Sequence, residues 1–121
     1  VLKPTGFVII TCPDLQSVCA QVAANRLLEP AYLSSAGPIA PLDILYGLRS
    51  ALAQGHSGMA HRTGFTRDSL RAALQTAGFA TVAVIARPDQ FALWAVACKR
   101  VRPPGEFTEL RYIPPCPYAP A

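Results

Sequence analysis

The opening stretch, VLKPTGFVIITCPD, restricts the possible folds more than any other part of the chain. Phe7-Val8-Ile9-Ile10-Thr11-Cys12 is an unbroken run of β-branched and apolar residues. Its length and continuity predict a strand buried on both faces, as in a parallel sheet within an α/β domain. Lys3-Pro4-Thr5-Gly6 before it reads as a turn, with proline presetting φ and glycine tolerating what a side chain would resist. Pro13 has no N–H to give to a ladder and should stop the strand. Asp14 is placed to cap a helix beginning at Leu15. In open α/β sheets ligands bind outside the carboxyl ends of the strands, so Thr11, Cys12, Pro13 and Asp14 are placed at a candidate crevice.

With 121 residues the chain has room for one small domain. At 51% hydrophobic and 15% charged it is too apolar to remain disordered. No apolar run is long enough to span a bilayer, and the start does not resemble a signal peptide, so a cytoplasmic protein is expected. The formal charge is +4, mostly scattered arginine, and only Lys99, Arg100 and Arg102 cluster. Scattered charge fits a solvated surface better than a nucleic-acid footprint. Cys12, Cys19, Cys98 and Cys116 form no C-x-x-C pair, and no histidine stands at metal-ligand spacing from them. They read as reduced thiols, with no metal. The only methionine is Met59, and a piece of a longer protein is expected.

Leu15, Val18, Cys19, Val22 and Ala23 recur at helical spacing and predict a first helix with one apolar face. Pro30 should end it, and Ala31 to Pro41 reads as loop. Pro41 suits the first position of a short helix through Tyr46 that Gly47 interrupts. Ser50 can cap a further helical turn ending at Gly55, and His56 to Gly64 reads as loop. Thr66 is an N-cap for the clearest helix, whose stripe is Leu70, Ala73, Leu74 and Ala77 and whose C-cap is Gly78. Thr81 to Ala86 and Phe91 to Lys99 predict a strand hairpin about Arg87-Pro88-Asp89-Gln90, with Trp94 in the core. From Arg102 to Ala121 the sequence turns proline-rich and reads as an extended tail, with a short Phe107 to Ile113 segment framed by prolines.

VLKPTGFVIITCPD resembles the V-L-K-P-G-G-strand motif of class I S-adenosylmethionine-dependent methyltransferases, where it forms the fifth strand and the turn before it. HRTGFTRDSLRAALQTAGF is similar to the segment before that family's sixth strand, and ATVAVIARPDQFALWAVACKR to its closing sixth and seventh strands. The resemblance covers residues 1 to about 100 and leaves the tail outside, so that 1–101 reads as the substrate-side half of such a domain. It implies a partial Rossmann-like α/β sheet: three strands, a parallel pair plus an antiparallel closing strand, in the order Val82–Ala86, Phe91–Lys99, Phe7–Cys12. It also implies the C-terminal part of such an enzyme, acting on a small molecule.

The family's G-x-G loop and the acidic residue that holds the cofactor ribose have no counterpart here, so the isolated chain is expected to bind no S-adenosylmethionine and to be inactive alone. The second turn glycine is Thr5. What remains resembles the substrate-facing half. There the residues to weigh are His61, a suitable neutral base in a glycine-flanked loop, and Thr11, Cys12, Asp14, Asp43, Tyr46 and Thr63 as substrate contacts. Each has a plainer role as well: Asp14 as a helix cap, His61 bonding loop backbone, Tyr46 in helix packing, Asp43 on a solvated surface. Two other functions stay open, a non-catalytic interaction module and nucleic-acid binding through Lys99 to Arg102. Finally, the missing fourth strand would leave Phe7–Cys12 with a bare edge, so a homodimer through that edge or the adjacent apolar face is expected, the alternative being that the proline-rich tail, through Phe107 to Ile113, folds back and covers it.

Overall fold

A computed structural model describes residues 2–103, 106–107 and 119–120. The chain opens on β1 (Phe7–Pro13) and α1 (Leu15–Ala23), followed by β2 (Tyr32–Ser34), β3 (Gly37–Ile39), α2 (Pro41–Tyr46) and α3 (Arg49–Ala53). After a 3-10 turn at Ser57–Met59 come α4 (Arg67–Thr76), β4 (Thr81–Arg87), β5 (Ala92–Cys98) and β6 (Ala119–Pro120). The main sheet is three-stranded, in the order β1-β5-β4.

That strand order is the one expected, but the expected fold class is not what forms. Both ladders of the main sheet are antiparallel. β1 and β4 run the same way yet lie on opposite sides of β5, so no parallel ladder exists among the described residues and the sheet is not Rossmann-like. The cause is local: the short 3-10 connection Pro88–Gln90, closed by Phe91 at φ +51°, turns β5 straight back along β4. β1 then takes β5's remaining edge. A single parallel bridge joins Asp14 to Phe65.

β1 is not buried on both faces either. Phe7, Ile9 and Thr11 are exposed, while Val8, Ile10 and Cys12 pack towards α4. A strand at the edge of a sheet with a helix on one face alternates in this way despite its continuous apolar sequence. Pro13 is the strand's last residue rather than the residue that stops it. The main core joins Leu70 and Leu74 of α4 to Val84, Leu93, Ala95 and Ala97. Trp94 is only half-buried, and its indole N–H is buried without a hydrogen-bond partner among the described residues.

α4 forms where its caps place it. Thr66 Oγ1 accepts from Ser69 N–H, and Gly78 turns the chain out at φ +94°. Asp14 caps α1 by accepting from Gln16 N–H at 3.2 Å. The expected apolar face of α1 is narrower than its spacing suggests: Val18 is fully buried, but Cys19 and Ala23 are exposed. The expected loop Ala31 to Pro41 contains a hairpin instead. β2 and β3 pair with Ser34 opposite Gly37, closed by Ser35-Ala36, and Ser34 Oγ accepts from Ala36 N–H. Gly37 at φ +101° and Pro38 read as turn residues, yet serve here as strand. β6 extends this second sheet by pairing with β2, so the end of the chain returns to it. Apart from Phe107, the Phe107 to Ile113 segment lies outside the described residues, as does Cys116. Cys12, Cys19 and Cys98 are free thiols. Among the described residues no helix is long and apolar enough to cross a membrane.

Candidate functional site

Gly47 is where the site begins. It ends α2 at φ +105°, and a Cβ there would run into the Met59 carbonyl. The backbone of Met59 to His61 can therefore lie against the end of α2. A helix end leaves carbonyls without intrahelical partners. His61 satisfies two of them: its N–H donates to Tyr46 O at 3.1 Å, and its Nδ1 lies 2.8 Å from Ile44 O. A carbonyl only accepts, so Nδ1 carries the ring proton of the neutral imidazole and Nε2 keeps its lone pair. The plain structural role and the candidate chemical role thus coincide in one residue.

His61 lines a pocket of about 100 Å³ with Cys12, Pro13, Leu15, Ile44 and Leu45, closed by Thr63, Gly64 and Phe65. The loop comes this close because Gly64 has no side chain: a Cβ would sit 2.9 Å from the Leu15 methyls. Leu15 N–H donates to Phe65 O at 3.0 Å and pins the loop to the start of α1. Two wider depressions of about 210 Å³ each also have His61 in their walls. One runs to Tyr32, Asp43 and Met59, the other to Tyr46, Arg62 and Thr63. Burial, and next the nearby Asp14 carboxylate, push the Cys12 thiol up from its ordinary value. A thiol shifted that way is a poor nucleophile and serves as apolar wall.

The structure therefore brings His61, Thr63 and Cys12 together at one pocket, with Tyr46 on the adjoining depression. It removes three of the expected contacts. Thr11 lies on the opposite face of β1 from Cys12, because side chains alternate along a strand. Asp14 is buried and spent on capping α1. Asp43 is no solvated surface residue: it is buried, and its carboxylate accepts from Ala40 N–H, Arg49 N–H and the Arg49 guanidinium at 2.8–3.1 Å. The hydrogen bonds from the Arg49 side chain hold its carboxyl down to about 2 against burial. It borders the wider depression but has no free lone pair to spare for a ligand there. Sequence reasoning missed Arg49, Leu15, Ile44, Leu45 and Phe65. No local pattern singles out any of them: even Asp43 and Arg49 lie six residues apart, outside the three- and four-residue spacings that pair side chains on a helix.

The basic cluster is engaged in the fold. Lys99 Nζ donates to Leu2 O at 2.7 Å, and the Arg102 guanidinium lies 5.8 Å from the centre of the Phe7 ring. No group of three or more His, Cys, Asp or Glu among the described residues could hold a metal ion. Among the described residues no glycine-rich loop accompanies the His61 pocket. The chain matches no protein-family model, no curated protein and no solved structure.

Proposed function

We propose that this chain is the acceptor-side part of an S-adenosylmethionine-dependent methyltransferase, and that a small-molecule acceptor enters the pocket at His61. The supporting observation is the histidine itself. Its Nδ1–H is committed to the Ile44 carbonyl, which leaves Nε2 as an acceptor in a wall that is otherwise largely apolar. A neutral imidazole fixed in that tautomer can take the proton of a hydroxyl or ammonium group. Apolar neighbours favour a small acceptor with an apolar body, and Thr63 offers a second polar contact. The cofactor belongs to residues outside this chain. The free thiols of Cys12, Cys19 and Cys98 fit a reducing, cytoplasmic setting.

Backbone amide shifts under titration with phenol, and separately with S-adenosylmethionine, test this reading. Phenol should move His61, Thr63 and Phe65. His61→Asn keeps a donor for the Ile44 carbonyl but has no group in the place of Nε2, and should weaken the response several-fold. S-adenosylmethionine should give no heat of binding at millimolar concentration. Phenol shifts that avoid these residues, or micromolar binding of the cofactor, would overturn the assignment. A non-catalytic interaction module is the second reading, and the open edge of β1 favours it.

A further inference from the structure

β1 is the outer strand of the main sheet, and its ladder to β5 fixes which of its backbone groups face outwards. In an antiparallel pair the residues alternate between those bonded to the partner strand and those whose N–H and C=O point away. Asp14 N–H donates to Phe91 O at 2.9 Å, so in this register Cys12, Ile10 and Val8 also point at β5. Phe7, Ile9, Thr11 and Pro13 then present their backbone groups to the other side, where no described residue pairs with them. Pro13, with no N–H, stands where the ladder does not need one. The open window has clear ends. At one, Gly6 N–H closes the turn onto Lys3 O. At the other, Phe65 meets Asp14 and Leu15. Between them Phe7 is 42% and Ile9 47% exposed, and Thr11 is exposed as well. No residue from Phe7 to Cys12 is charged.

We infer that the occupant of this edge is a second copy of the same strand, running antiparallel about a two-fold axis at Ile9. In that register Ile9 faces Ile9 of the other copy, and Phe7 faces its Thr11. Every outward N–H and C=O of Phe7, Ile9 and Thr11 then meets its complement, and no other centring satisfies them all. A symmetric strand pair of this kind is a closed, isologous contact. The absence of charge within the strand favours this occupant: Ile9 meets its own copy at the axis, where a lysine or glutamate would repel its like, and the nearest cation, the Arg102 guanidinium over the Phe7 ring, stands at the end of the window. The phenyl ring of Phe7 can lie beside the aliphatic side chains across the seam. An unpaired edge without charge, internal proline or bulge is otherwise left as a template for aggregation. The pairing is independent of the methyl-acceptor reading, because it engages Phe7 to Thr11 whereas the His61 pocket meets β1 only at Cys12 and Pro13.

Light scattering after size exclusion, over a range of concentrations, tests the pairing on the full chain. The mass should rise from that of one 12.9 kDa chain towards twice that value. Ile9→Lys sets two ammonium groups opposite each other and should hold the protein at one chain. Thr11→Lys, at an exposed position away from the core, should weaken association at least ten-fold with the far-UV circular dichroism unchanged. Ile9→Cys should form an intermolecular disulfide on mild oxidation, since paired residues in this register have Cα atoms about 5.5 Å apart. A mass of one chain at every concentration would overturn the proposal and leave the edge to a foreign strand. So would a dimer that survives both lysine variants, or one that Ile9→Cys does not cross-link.

Discussion

The two cores of this chain are held together by different means. Around α4, β4 and β5 the core is continuous: Leu93, Ala95 and Ala97 are fully buried, and Leu70 and Leu74 press on them. Around α2 the described core is Val18, Ile39 and Ile44 with half-buried neighbours. That second region gains its order from polar ties instead: the Asp43–Arg49 pair, the His61 contacts with α2, and two glycines that let segments touch. A site with an open pocket cannot be packed to the density of a sheet core. Hydrogen bonds then fix what packing does not, and the candidate pocket lies on this side of the molecule.

Core deletions should show this contrast most strongly. Leu93→Ala removes a fully buried side chain from the sheet core and should cost about 3–5 kcal/mol, the upper part of the range for such changes. Ile44→Ala should cost about 2 kcal/mol, because the pocket beside it lets the neighbours collapse. Urea unfolding measures both. Equal losses would mean that the second core is as tightly built as the first.

The same contrast explains what could be read from the sequence. α4 was legible to within a residue from Thr66 and Gly78, but its stripe was read too wide: Leu70 and Leu74 are buried, whereas Ala73 and Ala77 are exposed. The β4–β5 hairpin was legible from its apolar runs and Pro88. The β2–β3 hairpin was not: glycine, proline and serine signal a loop wherever a two-residue turn joins strands of only three residues. The pairing of β1 was legible as order but not as class. Nothing in Phe7 to Cys12 says whether its neighbour is parallel, and a continuous apolar run hides the alternation that an edge strand shows. His61 was legible by its chemistry and its glycine-flanked loop. Its hold on the Ile44 and Tyr46 carbonyls depends on how residues 17 and 15 apart meet, which no local pattern encodes.

Asp43 gives the next largest effect. Held down at about 2 from 3.8, its carboxyl contributes on the order of 2 kcal/mol of stability. The folded value lies below the unfolded one, so this contribution is fully present above about pH 4. It falls away as the pH drops through about 2. Asp43→Asn should remove it and flatten the acid limb of the stability curve, as followed by thermal unfolding from pH 2 to 6. An unchanged acid limb in the variant would show that the sheet half, and not this pair, carries the acid sensitivity.

The glycines give the smallest and sharpest comparison. Gly47 and Gly78 both end helices at a positive φ, +105° and +94°. A methyl group at Gly78 would meet nothing within 4 Å, so Gly78→Ala pays only the backbone strain, about 1 kcal/mol. At Gly47 the same methyl collides with the Met59 carbonyl, and backbone cannot step aside as a flexible side chain can. Gly47→Ala must therefore move Met59 and with it His61. Its loss of stability should exceed that of Gly78→Ala, and the difference should be local. Hydrogen exchange of His61 N–H, now donated to Tyr46 O, should accelerate strongly in Gly47→Ala and stay unchanged in Gly78→Ala. If both variants leave that amide equally protected, the end of α2 does not depend on the close approach, and the pocket is held by the Leu15–Phe65 contact alone.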